Sequence, residues 1–379
     1  MLYGTFKKIK NIAKKLKFNI NERTSYERNN FNMIIKLSVD ELSSLNDIFF
    51  NDKKISDIIE IHNKDSDQNF IHFAYKNPEF RPFVYLLARH GYVAYTQNSN
   101  ITKFVNLKHI PKLWTPVIDK TYSFENNLIY TIALSESAQK NEVKPTSLIV
   151  VFSSMSTPFD KASLTRYFEP NFASISKHVP DSVAILRIAD LDGIVGGFYM
   201  PSINYPNRNK DVGDLILKVA NKFDIKHDRI VVYGASKGGS AALHIGLKFG
   251  FRAVCVDPIV NDETYEKRYN DTHWTKSKII LQKKEDFLAD ILKQSEHIEN
   301  LKGRLIIVSS KGSFMFPSIN KFVQKIIEYG GKPVFCICND KRITDHSHVS
   351  LRTLRTVTGF LNMQIQGINL EYQNISIDG

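Results

Sequence analysis

The stretch Arg229 to Gly250, RIVVYGASKGGSAALHIGLKFG, decides how this chain is read. Its opening, Arg229 to Tyr233, is an unbroken apolar run of the kind that forms a buried strand, and from about Lys237 to Phe249 the pattern turns helical. Between them lies Gly234-Ala235-Ser236-Lys237-Gly238-Gly239, a G-x-S-x-G with one further glycine. At such a junction the serine occupies a tight, strained turn, and the flanking glycines remove Cβ atoms that would otherwise collide. The turn presents the Ser236 hydroxyl to a ligand. It also aims the Lys237 amide and the start of the helix at the point where negative charge develops in acyl transfer. Ser236 is the expected nucleophile, against the plainer reading of a structural glycine turn. The Lys237 ammonium is expected either toward an anionic substrate or in solvent.

Outward from this elbow, apolar β-type runs alternate with helical ones. Tyr122 to Leu134 reads as two strands joined at Glu125-Asn126-Asn127. Ser147 to Phe152 (SLIVVF) and Ser182 to Ala189 (SVAILRIA) read as strands, and Asp211 to Phe223 as a helix. Phe251 to Val256, Arg304 to Ser309 and Pro333 to Cys338 add three more strands, with helices between them and a last helix over Val349 to Leu361. This alternation specifies an α/β fold, a mostly parallel sheet with helices on both faces, and the G-x-S-x-G at a strand-to-helix junction makes the α/β-hydrolase type the expected one. Ligands of such sheets sit at the carboxyl ends of the strands.

A serine hydroxyl needs a base, and in this fold the base belongs in the loop after the last strand. Asp345-His346-Ser347-His348 stands there, and His346 is preferred over His348 because a small residue follows it and it is farther from the expected helix start. The acid that orients the histidine commonly follows the penultimate strand. Here that strand runs into Ser309-Ser310-Lys311-Gly312-Ser313-Phe314, which holds no carboxylate. Asp257, directly after Phe251 to Val256 and followed by Pro258, is the substitute, with Asp262, Asp340 and Asp345 as alternatives and a turn-forming aspartate as the plain reading. The second oxyanion donor is expected from the loop after SLIVVF, at Ser154 or Met155.

The remainder bounds the answer. At 379 residues the chain accommodates one large α/β domain, expected over 116–379, and a small N-terminal α+β appendage over 1–115. In the appendage Ser38 to Phe50 and Pro82 to His90 read as helices and Gly91 to Thr96 as a strand. The 51 Lys and Arg against 39 Asp and Glu leave a formal charge of +12, but the basic residues are spread along the chain without an aromatic-basic stripe, so nucleic acid is not an expected partner. Met1 to Ile20 has six lysines, no acid and no apolar run long enough for a signal peptide or transmembrane helix. Leu2, Phe6, Ile9, Ile12 and Leu16 recur there at helical spacing, which suits either an interfacial helix on an anionic inner membrane leaflet or a helix docked on its own domain. Cys255, Cys336 and Cys338 all fall in apolar strand-like runs, and an odd count of such thiols suggests a reducing compartment; no metal-ligand spacing accompanies them, and no cofactor is expected.

The set VVFSSMS, the Asp190-rich loop, VVYGASKGGSAALHIGLKFG, CVDPIV and DHSHVS resembles the XcbB/CpsF-type family of bacterial capsular polysaccharide biosynthesis proteins, over roughly residues 120–362. More distantly it is similar to carbohydrate acetyl esterases of accessory secretion systems. The resemblance implies a cytoplasmic or inner-membrane-associated enzyme of capsule assembly, using Ser236, one histidine of the 346/348 pair and Asp257 on a glycan or glycan-linked ester. Two functional classes follow: a serine hydrolase or acyltransferase, and a non-catalytic hydrolase-fold scaffold for capsule assembly proteins at the membrane.

Overall fold

The computed structural model describes residues 34–44, 50, 57–64, 67–111, 113, 122–155, 162–270, 272–371 and 374–378. Contacts divide the chain into two units, 1–122 with 159–165, and 123–158 with 166–379. The amphipathic segment 1–20 lies outside the described residues.

In the first unit a four-stranded sheet runs β1-β2-β4-β3, with β1 (Ile34–Ser38) and β2 (Ile58–His62) parallel and the other pairs antiparallel. Helices α1 (Phe70–Lys76) and α2 (Arg81–Arg89) precede the hairpin β3 (Tyr92–Asn98) and β4 (Ile101–Asn106). Asn69 caps α1 by accepting the His72 amide at 3.0 Å. The expected helix from Ser38 is not formed there. Ser38 closes β1, and Val39–Ser44 is a 3₁₀ turn fastened by the Ser38 amide donating to the Glu41 carboxylate at 2.7 Å. Residues 45–49 lie outside the described set.

The second unit carries nine strands in the order β13-β12-β11-β10-β9-β7-β8-β6-β5. In chain order these are β5 (Ser123–Glu125), β6 (Leu128–Ala133), β7 (Ser147–Phe152), β8 (Val183–Ile188), β9 (Ile230–Ala235), β10 (Arg252–Val256), β11 (Leu305–Ser309), β12 (Val334–Cys338) and β13 (Asn374–Ile377). The antiparallel pairs β5/β6 and β6/β8 lead into a parallel run from β8 to β13. An antiparallel start, a β8/β7 transposition and a parallel remainder are the α/β-hydrolase arrangement.

Strand alternation sorts the buried residues into two layers. Leu148, Val150 and Phe152 of β7 face one core, with Val232, Cys255 and Ile307 from the neighbouring strands. Helices α3 (Arg208–Lys222), α4 (Lys237–Phe249), α5 (Lys284–Gln294) and α6 (Phe316–Glu328) close that core through Ile216, Leu243, Leu288 and Phe322. Ile149 and Val151 face the other side, where α8 (Leu354–Ile365) contributes Val357, Phe360 and Leu361. The last helix, expected over Val349 to Leu361, begins earlier and is broken. Asp345 caps α7 (His346–Arg352) by accepting the Ser347 amide, and Thr353 separates α7 from α8.

Candidate active site

Ser236 stands between β9 and α4 with φ 56° and ψ −120°, a conformation costing a β-carbon-bearing residue about 1–3 kcal/mol. Neighbours over-determine it. The Ser236 amide donates to Val256 O at 2.9 Å, and Ser236 O accepts the Ser240 amide at 3.0 Å. A Cβ at Gly234 would fall 2.2 Å from Gly238 O, and one at Gly238 would fall 2.6 Å from Asn171 Nδ2 and 2.7 Å from Phe152 O. The glycines are there because strand and helix backbones almost touch. The Ser236 side chain does not cap α4, so its hydroxyl is left for other work.

The hydroxyl meets His346. Nε2 of His346 lies 2.7 Å from Ser236 Oγ, and Nδ1 lies 2.7 Å from Asp257 Oδ2. An ionised carboxylate only accepts, so Nδ1 carries the proton and Nε2 accepts the serine hydroxyl. Asp257 follows β10 with φ 43°, and its amide donates to Val308 O at 2.7 Å. Its carboxylate also accepts the Ser309 and Ser313 hydroxyls, one on each oxygen, at 2.5 Å. His346 is 8% exposed along its side chain and Asp257 2%, so the relay runs through a nearly dry interior and reaches solvent at the half-buried Ser236.

The other sequence candidates are engaged elsewhere. His348 is exposed, with Nδ1 3.3 Å from Thr344 Oγ1. Asp262 is ion-paired with Lys284, Asp340 with Arg342 at 2.7 Å, and Asp345 with Arg268 at 2.8 Å.

Two expectations are corrected. The Lys237 ammonium meets neither substrate nor solvent: the residue is 0% exposed, and Nζ lies 3.0 Å from Asp190 Oδ2 and donates to Val195 O at 3.3 Å. The first turn of α4 points this side chain inward onto the loop after β8, where Asp190 also accepts the Phe198 and Tyr199 amides. Desolvation pushes the ammonium below its usual range, while Asp190 opposes the shift. The Lys237 amide, at the first position of α4, has no acceptor among the described residues and stays available to an oxyanion. Ser154 is not an amide donor for substrate, because its N–H is taken by Glu169 O at 3.0 Å in a short antiparallel bridge. Ser153's amide goes to the Tyr199 hydroxyl at 2.9 Å. Met155, in the loop that the Val151–Tyr233 register carries alongside the elbow, has no amide partner among the described residues.

Sequence reasoning passed over Asp190, Asn171, Ser309 and Ser313. Asn171 Nδ2 donates to Phe152 O at 2.7 Å and fills the space that Gly238 leaves open. The one sequence signal for Asp190 was its glycine-rich loop: at Gly196 (φ 103°) a Cβ would fall 2.3 Å from Asp190 Oδ2 and 2.5 Å from Lys237 Nζ.

No family model matches the chain, and no curated protein matches it by sequence. Among solved structures it is similar to a ferulic acid esterase, at 13% identity over 64% of this chain and 96% of that one, with TM-score 0.47. It is similar to the capsule O-acetyltransferase of Neisseria meningitidis serogroup A, at 15% identity over 65% and 94%, with TM-score 0.47. A glycosylation-associated protein complex from Streptococcus agalactiae matches at 12% identity over 69% of this chain and 50% of that one, with TM-score 0.45.

Proposed function

We propose that the chain is a serine-dependent hydrolase or acyltransferase of the esterase type, acting on an ester of a capsular polysaccharide or its precursor. The observation that carries the chemistry is the continuous hydrogen-bonded line from Asp257 through His346 to Ser236, with 2.7 Å at each histidine contact. The capsule assignment rests on the motif resemblance over residues 120–362. Action at the cytoplasmic side of a membrane, beside capsule assembly proteins, belongs to the same proposal. Among the described residues no helix is long and apolar enough to cross a membrane.

In this reading Ser236 Oγ bonds to the acyl carbon while its proton passes to His346 Nε2. Asp257 holds the ring in the required tautomer and stabilises the imidazolium. The oxyanion accepts the Lys237 amide and a second amide at Met155, each donor of this kind contributing about 10²–10³ in rate. Collapse returns the proton from His346 to the departing alkoxide and leaves an acyl-Ser236 ester. Water or a sugar hydroxyl then gives its proton to His346 and bonds to the acyl carbon, and His346 returns the proton to Ser236 Oγ as the acyl–serine bond breaks. The scaffold reading rests on the missing carboxylate after β11; Asp257 Oδ2 at 2.7 Å from His346 Nδ1 supports the enzymatic reading over it.

The test is a fluorophosphonate probe on the full chain, with wild type compared to Ser236→Ala, followed by an assay for acetate released from O-acetylated capsular polymer. Labelling confined to Ser236 is the expected result. An unlabelled wild type, together with normal capsule in cells carrying Ser236→Ala, refutes the enzymatic reading.

A further inference from the structure

We infer that Ser309 and Ser313 are positioning residues that hold the Asp257 carboxylate toward His346 and set how strongly that carboxylate pulls on the imidazole proton. The inference rests on the triad reading above and extends it to the loop after β11. There, at the usual place of the acid, the chain offers two hydroxyls to a carboxylate arriving from the next strand.

The register explains the juxtaposition. β10 and β11 are parallel, with Val256 opposite Val308, so Asp257 and Ser309 follow side by side. Ser309 Oγ donates to Asp257 Oδ1, and Ser313 Oγ donates to Oδ2, the oxygen that also receives His346 Nδ1. Ser313 Oγ in turn accepts the Met315 amide at 3.1 Å, which fixes the direction of its own O–H. All three residues are buried, Ser309 at 0% and Asp257 and Ser313 at 2% exposure. A carboxylate in such surroundings, carried on a left-handed backbone, has few alternatives to the orientation its donors impose.

Electrostatics gives the sign. Each hydroxyl draws charge from the carboxylate, so removing one leaves a more basic anion that holds the His346 proton harder. The ring's other neighbours stay unchanged: Ser236 at Nε2, Tyr265 with ring centroids 6.3 Å away and Phe314 at 5.5 Å. Asp345, the residue before His346, is paired with Arg268 at 2.8 Å, while His348 on the same helix turns to Thr344. Ser313 shares its oxygen with the histidine, so its loss should act more strongly than that of Ser309.

The experiment follows the His346 ring by NMR in histidine-labelled full-length protein, using Ser309→Ala, Ser313→Ala and, as control, Ser310→Ala. Ser310 is equally buried in the same loop but donates to Cys338 O and does not touch Asp257. The midpoint of the His346 titration should rise by roughly half a pH unit in Ser313→Ala, by less in Ser309→Ala and not at all in Ser310→Ala. The rate constant for fluorophosphonate labelling, divided by the folded fraction measured by urea unfolding, should drop about tenfold in Ser313→Ala and keep its wild-type value in Ser310→Ala. Unmoved midpoints in both test variants, or an equal rise in Ser310→Ala, overturn the inference. A wild type that is not labelled overturns the proposed function instead, because the NMR midpoint needs no turnover.

Discussion

Breaking the Lys237–Asp190 pair tests whether the elbow is held from below by a buried ion pair. Both side chains are essentially inaccessible, at 0% and 2% exposure, so removal of either partner strands the other in the interior, at a cost of about 3–5 kcal/mol. The two losses are unequal. In Lys237→Met the stem is kept and the Asp190 carboxylate retains the Phe198 and Tyr199 amides at 2.8 and 3.2 Å, which places the cost near the lower bound of about 3 kcal/mol. In Asp190→Asn the ammonium keeps Val195 O at 3.3 Å and a neutral amide oxygen in place of the carboxylate, so its charge is uncompensated and faces repulsion from Arg166, while the amide nitrogen is turned toward a backbone N–H donor. That places the cost near the upper bound of about 5 kcal/mol. The double variant buries no stranded charge, so it should be less destabilised than the sum of the singles by at least about 2 kcal/mol. Urea unfolding of the four proteins at pH 7, with a common m-value, measures the cycle. Additivity to within about 0.5 kcal/mol, or a larger loss in Lys237→Met than in Asp190→Asn, refutes the reasoning.

Burial pushes His244 down to about 4, with Nε2 donating to Phe198 O and Nδ1 facing Asn209. Between pH 6.5 and 4 the unfolded chain takes a proton that the folded one refuses, so stability should fall by about 3 kcal/mol as pH drops through that window, a slope that His244→Asn removes in urea titrations. Gly238→Ala places a methyl 2.6 Å from Asn171 Nδ2 and 2.7 Å from Phe152 O; urea unfolding should show a loss of about 1–3 kcal/mol, and Ser236 labelling should slow. His348→Ala should leave the labelling rate within about twofold of wild type, whereas His346→Ala should lower it by about 10³ or more; equal losses would move the base to His348.

The elbow was legible in the sequence because the elements that define it are contiguous. Strand, glycines, serine and helix lie within Arg229 to Phe249, and the contacts that exclude a Cβ at Gly234 come from Gly238 in the same stretch. The parallel sheet was legible for a similar reason, since each strand from β7 to β12 is buried on both faces and reads as a continuous apolar run. The Ser38 helix was misread because helical spacing of apolar residues does not show that Ser38 already pairs, in β1, with His62 of β2.

The surroundings of the Lys237 ammonium and of the Ser154 amide were not legible for a different reason: their partners arrive from distant loops. Asp190 follows β8 and Glu169 lies between β7 and β8, so neither is visible as a neighbour until the sheet order is known. The acid falls between these cases. A search for a carboxylate after β11 finds Ser309 and Ser313, which look like a deficiency in a list of motifs. In the sheet, the Val256–Val308 register brings Asp257 to the same place from one strand away, and the two serines become its hydrogen-bond donors. In this chain the carboxylate reaches His346 from the end of β10, and the hydroxyls at the end of β11 and in the loop after it donate to both of its oxygens. The serines after β11 are therefore the counterpart of the displaced acid, and their loss should be felt at His346 before it is felt in the fold.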